Sequence, residues 1–125
     1  AVSDSSARGY YQWSALLRAL SSFEAYTEIY RDAPAARHVA ELLLLRADVP
    51  RSLRACTEEI DLILASLPGS NGRAAQRLAA EVDARLRYTG IDEILAEGLH
   101  PWLSHYIPLV RQLGNAIHSA YLEAV

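Results

Sequence analysis

Glu97-Gly98-Leu99-His100 sets a carboxylate and an imidazole three residues apart, the spacing with which helical bundles hold paired metal ions. Such a centre also needs a second Glu-x-x-His and further inward carboxylates. Neither His105 nor His118 has a Glu three residues before it. A plainer role suits the same imidazole: a hydrogen-bonded side chain beside Pro101, where a proline frees a backbone carbonyl. No metal and no cofactor is therefore assigned. Nucleophilic chemistry has no better footing. Cys56, the single cysteine, falls on an apolar helical stripe with no adjacent base and reads as a small core residue. One cysteine also excludes an intrachain disulfide and a Cys-rich zinc site. All twelve cations are arginine, which removes lysine-based phosphate loops, Schiff bases and general bases. There is no Gly-x-Ser-x-Gly and no glycine-rich phosphate loop. The seven tyrosines sit on or beside packing stripes and read as helix-packing residues with a hydroxyl at the rim.

The arginines around Pro50 remain. In RADVPRSLR, residues 46–54, Arg46, Arg51 and Arg54 surround a helix start, where partial positive charge disfavours cations. Something should compensate them. Guanidinium groups together with the N–H groups of a helix N-terminus and the Ser52 hydroxyl make a sound anion pocket. Its occupant could be a ligand phosphate or carboxylate, an acidic side chain of a partner, or Asp92, Glu93 or Glu97 of the last helix. Asp48 is the expected N-cap, its carboxylate accepting from the N–H of Arg51, with Pro50 in the first turn.

The elements that must position these residues are all helical. Trp13, Leu16, Leu17, Leu20 and Phe23 recur at helical spacing and predict one amphipathic helix over about 11–30. Pro34 opens a second, over about 35–45, whose Leu42–Leu45 run is too apolar for a one-sided surface helix. A third carries the stripe Leu53, Cys56, Ile60, Ile63, Leu64 and Leu67, ended by Pro68-Gly69-Ser70-Asn71-Gly72. A fourth, about 73–88, buries Leu78, Val82 and Leu86 and shows Glu81–Arg85 and Asp83–Arg87 on its outer face, acid four residues ahead of base. The last is the longest. Asp92 caps it, and a heptad-like seam runs from Leu95 to Tyr121, with a break or kink expected between Glu97 and Pro101. The predicted fold is all-α: an antiparallel bundle of about five helices, the last long and kinked near Pro101. Residues 1–9 read as a flexible leader and 10–125 as a single helical domain.

The 125 residues are 51% hydrophobic and 22% charged, ordinary globular composition with room for a core. A net charge of −3 gives no drive toward nucleic acid or an anionic membrane. No apolar run approaches the roughly 20 residues of a membrane span. No signal-peptide pattern opens the chain, so the default compartment is the cytoplasm. Methionine is absent, which implies a processed Ala1 or a cut from something longer.

Four blocks in order, WSALLRALSSFEAYTEIY, VAELLLLRADVPRSLRAC, ARLRYTGIDEILAEGLHPWL and LGNAIHSAYL, resemble the C-terminal part of the bacterial alpha-E family over roughly residues 10–123. The resemblance implies an all-helical fold and genomic company with circularly permuted ATP-grasp and transglutaminase-like proteins, hence a role in peptide- or amide-bond formation. The Glu-Arg signature that names the family belongs to its N-terminal half, and Glu41 and Arg46 do not reproduce it. Arg46 also stands where the family tends to have an acid. Pro50, Arg51, Ser52 and Gly98-Leu99-His100 match recurrent positions. On this footing Arg51 is expected to meet an acid near Asp92 to Glu97.

The functional expectation is a helical accessory domain with no chemistry of its own. It would dock an ATP-grasp ligase, or the missing N-terminal half of the same protein, and leave Trp13 or part of Leu42–Leu45 uncovered. Uncovered apolar surface could also pair two copies of the chain. The alternative is half of an enzyme site in which Arg51 and His100 help bind an anionic substrate. The candidate ligand- or partner-binding residues are Arg51, Ser52, Arg54 and His100.

Overall fold

The computed structural model describes residues 7–69 and 72–122. Among these the chain is helical throughout, without a strand. Its elements are α1 (Ala7–Ala19), α2 (Phe23–Tyr30), α3 (Ala36–Leu45), α4 (Leu53–Ser66), α5 (Arg73–Arg87), α6 (Ile91–Glu97), α7 (Leu99–Ile117) and a closing π-helical turn, His118–Leu122. Seven α-helices stand where five are expected, because the first and last expected helices are each interrupted at a residue of positive φ. The chain divides into two compact units, residues 1–55 and 56–125, where the sequence predicts one helical domain over 10–125. The expected leader lies outside the described residues up to residue 6, while Ala7 to Gly9 are already helical. Ser70 and Asn71 of the expected loop also lie outside them.

In the first unit, α1 ends in a Schellman arrangement. The Ser22 N–H donates to the Leu17 carbonyl at 2.8 Å and the Ser21 N–H to that of Arg18 at 3.0 Å, with Ser21 left-handed at φ 55°. The apolar period runs on across this break, so the two helices look like one in sequence. Arg18 lies over the Phe23 ring at 3.9 Å and spans the corner. Leu17, Tyr26, Val39, Leu42 and Val49 form the core, with Trp13, Phe23, Ile29, Tyr30 and Leu43 packed against it. Leu42 is wholly buried, and Trp13 and Leu43 to Leu45 are half-buried, so the apolar surface expected there is mostly covered. The α3 N-cap is Ala35, which has no capping side chain. The buried Tyr26 hydroxyl serves instead: it accepts the Ala35 N–H at 3.3 Å and donates toward Asp32 and the Ala33 carbonyl.

In the second unit, Ala75, Ala79, Val82, Asp83 and Leu86 are the buried face of α5. Two alanines there allow close approach of α7, which also packs on α6 and the π-helical turn. Leu78 is only half-buried, and Asp83, expected outside, is buried. Gly90, not Asp92, is the N-cap of α6, its N–H donating to Glu93 Oε1 at 3.2 Å. α6 stops at Glu97. Gly98, at φ 105° and ψ 136°, turns the chain into α7. One long last helix is thus two, and Pro101 sits in the first turn of α7, where no intrahelical donor is required. Pro108 lies inside α7, so one backbone hydrogen bond of that helix is absent.

The outer face of α4 departs from its expected stripe. Leu64 is buried, but Cys56 is exposed and Leu62, Ile63 and Leu67 are 64%, 51% and 37% exposed. No described helix is long and apolar enough to cross a membrane.

Candidate functional site

The helix start at α4 is built from two successive turns. The Val49 N–H reaches the Arg46 carbonyl at 3.1 Å and the Ser52 N–H reaches that of Val49 at 2.9 Å, with Pro50 between them. Ser52 is wholly buried. Its hydroxyl donates to the Arg46 carbonyl at 2.6 Å and accepts the Ala55 N–H at 3.0 Å, the geometry of an N-cap. Asp48 is therefore not the cap. Its carboxylate takes the Arg46 guanidinium in a two-point contact, 2.9 Å from Nε and 2.7 Å from a terminal nitrogen. That contact holds the Asp48 carboxyl below its ordinary value and raises the Arg46 guanidinium further. Arg46 is thus compensated two residues away in sequence. Arg51 is exposed and Arg54 half-buried. An incoming anion would find the Ser52 hydroxyl engaged on both sides.

A second polar cluster of the first unit has no motif to announce it. Tyr30 donates to Glu41 Oε1 at 2.7 Å and stacks on His38 at 4.4 Å between ring centres. His38 Nδ1 stands 3.3 Å from Asp32, which also accepts from Tyr26. Burial, then the bond to Glu41, raises the Tyr30 hydroxyl well above the ordinary phenol range. The residues span 26–41 on two helices and the turn between them.

In the second unit, Glu97 and His100 fall on different helices, which dissolves the Glu-x-x-His pattern. His100 is exposed in the first turn of α7. Glu97 instead faces His105, 3.4 Å from Nδ1. These two share a cavity of about 250 Å³ with Arg85, Thr89, Trp102 and Tyr106. The Trp102 and Tyr106 rings stack at 4.9 Å, 13° from parallel, and the Tyr106 hydroxyl donates to the Val82 carbonyl at 3.1 Å. Burial, and then the negative charge of Asp83, pushes that hydroxyl far up. Asp83 and Arg87 join at 3.0 Å beside a smaller hollow of about 190 Å³ that Asp61 and Tyr88 also line. Among the described residues no three His, Cys, Asp or Glu side chains converge as metal ligands.

A family model described as a predicted alpha-helical domain with a conserved ER motif, Alpha-E, matches residues 1–122. The chain belongs to the alpha-E family. No curated protein and no solved structure gives a significant match to this alpha-E domain. No Glu is followed directly by Arg anywhere in its 125 residues. The cavity of the second unit went unread in the sequence of this alpha-E domain, because its six residues come from α5, the turn after it, α6 and α7. In sequence Arg85 reads as half of an outer-face pair and Trp102 and Tyr106 as seam residues, and the partner of Glu97 is His105, not His100.

Proposed function

We propose that this alpha-E domain is an accessory interaction module that docks an ATP-grasp ligase of a peptide- or amide-bond-forming system. The observation that carries it is the apolar row Leu62, Ile63 and Leu67: the first two lie near the end of α4 and are 64% and 51% exposed, and the third follows the helix at 37%. The family's genomic company supplies the partner class. Burying a Leu or Ile side chain at an interface is worth about 1.5–3 kcal/mol, so such a row could anchor a complex. Arg51 and His100 are each exposed and open to acidic side chains of a ligase.

The test is pairwise. The ATP-grasp protein from the same host and this chain are purified, and their affinity is measured by calorimetry. Binding is expected, and L62E/I63E should weaken it at least about tenfold, the least that losing one such side chain predicts. Arg51→Gln should change mainly the association rate and its salt dependence. No binding, or binding indifferent to L62E/I63E, overturns the reading. A chain that self-associates through this row, measured by sedimentation, would make a second copy the occupant and likewise overturn it.

A further inference from the structure

The cavity lined by α5, α6 and α7 has a chemistry of its own, independent of the docking role. Arg85 and Glu97 both line it, yet they are not joined to one another. The Arg85 guanidinium reaches Glu81 only at 3.6 Å, on the outer surface of its own helix. Glu97 meets His105 at 3.4 Å, an ion pair only when that imidazole carries a proton. Both contacts are long and exposed, and such pairs are weak. One cavity therefore offers a cation and an anion, each loosely held and open to a better partner.

Part of the same lining is aromatic and fixed. Trp102 stacks on Tyr106, and Tyr106 is buried and pinned through its hydroxyl to Val82. An indole and the Glu97 carboxylate, lining one cavity, suit an ammonium group. The Arg85 guanidinium and the Thr89 hydroxyl, lining the same cavity, suit a carboxylate. The volume of about 250 Å³ corresponds to about eight waters at roughly 30 Å³ each. That admits a single small metabolite and not a nucleotide.

We propose that this cavity binds a free α-amino acid as its zwitterion, the carboxylate at Arg85 and Thr89 and the ammonium at Glu97 against Trp102. A simple anion would gain Arg85 and be repelled by Glu97. A simple cation has the reverse problem. Only a ligand carrying both charges satisfies both walls, and an aromatic or aliphatic side chain can lie along the Trp102–Tyr106 stack.

Calorimetry on the full chain at pH 7.5 tests it with three probes: L-phenylalanine, hydrocinnamate, which lacks the ammonium, and phenethylamine, which lacks the carboxylate. Phenylalanine should bind at least tenfold more tightly than either analogue. Arg85→Gln and Glu97→Gln, both at exposed positions, should each lose at least tenfold, whereas Glu81→Gln, which frees Arg85 from its other contact, should not weaken binding. Circular dichroism checks that the variants are folded, and the three probes on the unaltered chain decide the matter without them. No saturable binding at millimolar phenylalanine, or equal binding of a singly charged analogue, overturns the proposal.

Discussion

At the level of single residues, the start of α4 shows how local chemistry overrides a pattern. Two candidate caps, Asp48 and Ser52, lie within five residues, and charge alone favours the aspartate. The two-turn geometry decides otherwise: it carries the Ser52 hydroxyl under the helix end and leaves Asp48 beside Arg46. Ser52→Ala removes the acceptor for the Ala55 N–H in a site without solvent. It should cost about 1–2 kcal/mol in a urea unfolding curve. Asp48→Asn should cost less than about 1 kcal/mol, because the pair is exposed and screened. Its pH dependence has a definite sign. The Asp48 carboxyl is lowered in the folded chain, so its contribution is complete above the unfolded value near pH 4 and is lost as pH falls through the lowered one. The stability gap between the natural chain and D48N should therefore close in acid and stay open at neutral pH.

Among elements, the boundaries depend on a few backbone conformations. α3 and α5 were legible because Pro34, Gly72 and the residues after Tyr88 punctuate the hydrophobic period. The join of α1 to α2 was not. Its left-handed residue is a serine, and Ser21 looks like any polar position on a helix surface. Left-handed backbone costs an L-residue about 1–2 kcal/mol, against about 0.5–1 kcal/mol of extra chain entropy for glycine. Ser21→Gly should be neutral to mildly stabilising and Ser21→Val about 1–2 kcal/mol worse than the glycine variant, measured by thermal unfolding. Ser21 is exposed, so packing does not confuse the comparison. Gly98 gave a visible hint in sequence, through its neighbour Pro101, but a kink and a full stop leave the same letters. Gly72 matters for another reason. A methyl group there would run into the hydroxyl end of Tyr121 in the π-helical turn. Gly72→Ala should displace that ring and lower the melting temperature, and G72A/Y121F should recover part of the loss.

For the molecule as a whole, fold class was legible in the sequence. An all-helical chain follows from periodicity over every long segment. The division into two compact units does not, since the boundary falls within α4, where no change of composition marks it. The exposed face of α4 also escaped notice: a stripe of Cys56, Ile63 and Leu67 reads as core until a neighbour is required to cover it. Cys56 now offers a direct check of that face. In the native chain its exposed thiol should react with an aromatic disulfide reagent without added denaturant, giving one equivalent per chain, and Cys56→Ser should abolish the signal.

The two tryptophans fall one to each unit, Trp13 in the first and Trp102 in the second. Trp13 rests against a core of Leu17, Tyr26, Val39, Leu42 and Val49, whereas Trp102 lies flat on a tyrosine ring. Nature has thus placed a separate lamp in each half. With Trp102→Phe only the first emits, and with Trp13→Phe only the second, so stopped-flow emission can time the two halves individually. Two compact units with cores of their own should go dark at different denaturant concentrations, and superimposable traces would mean that the helix spanning their boundary makes them fold as one.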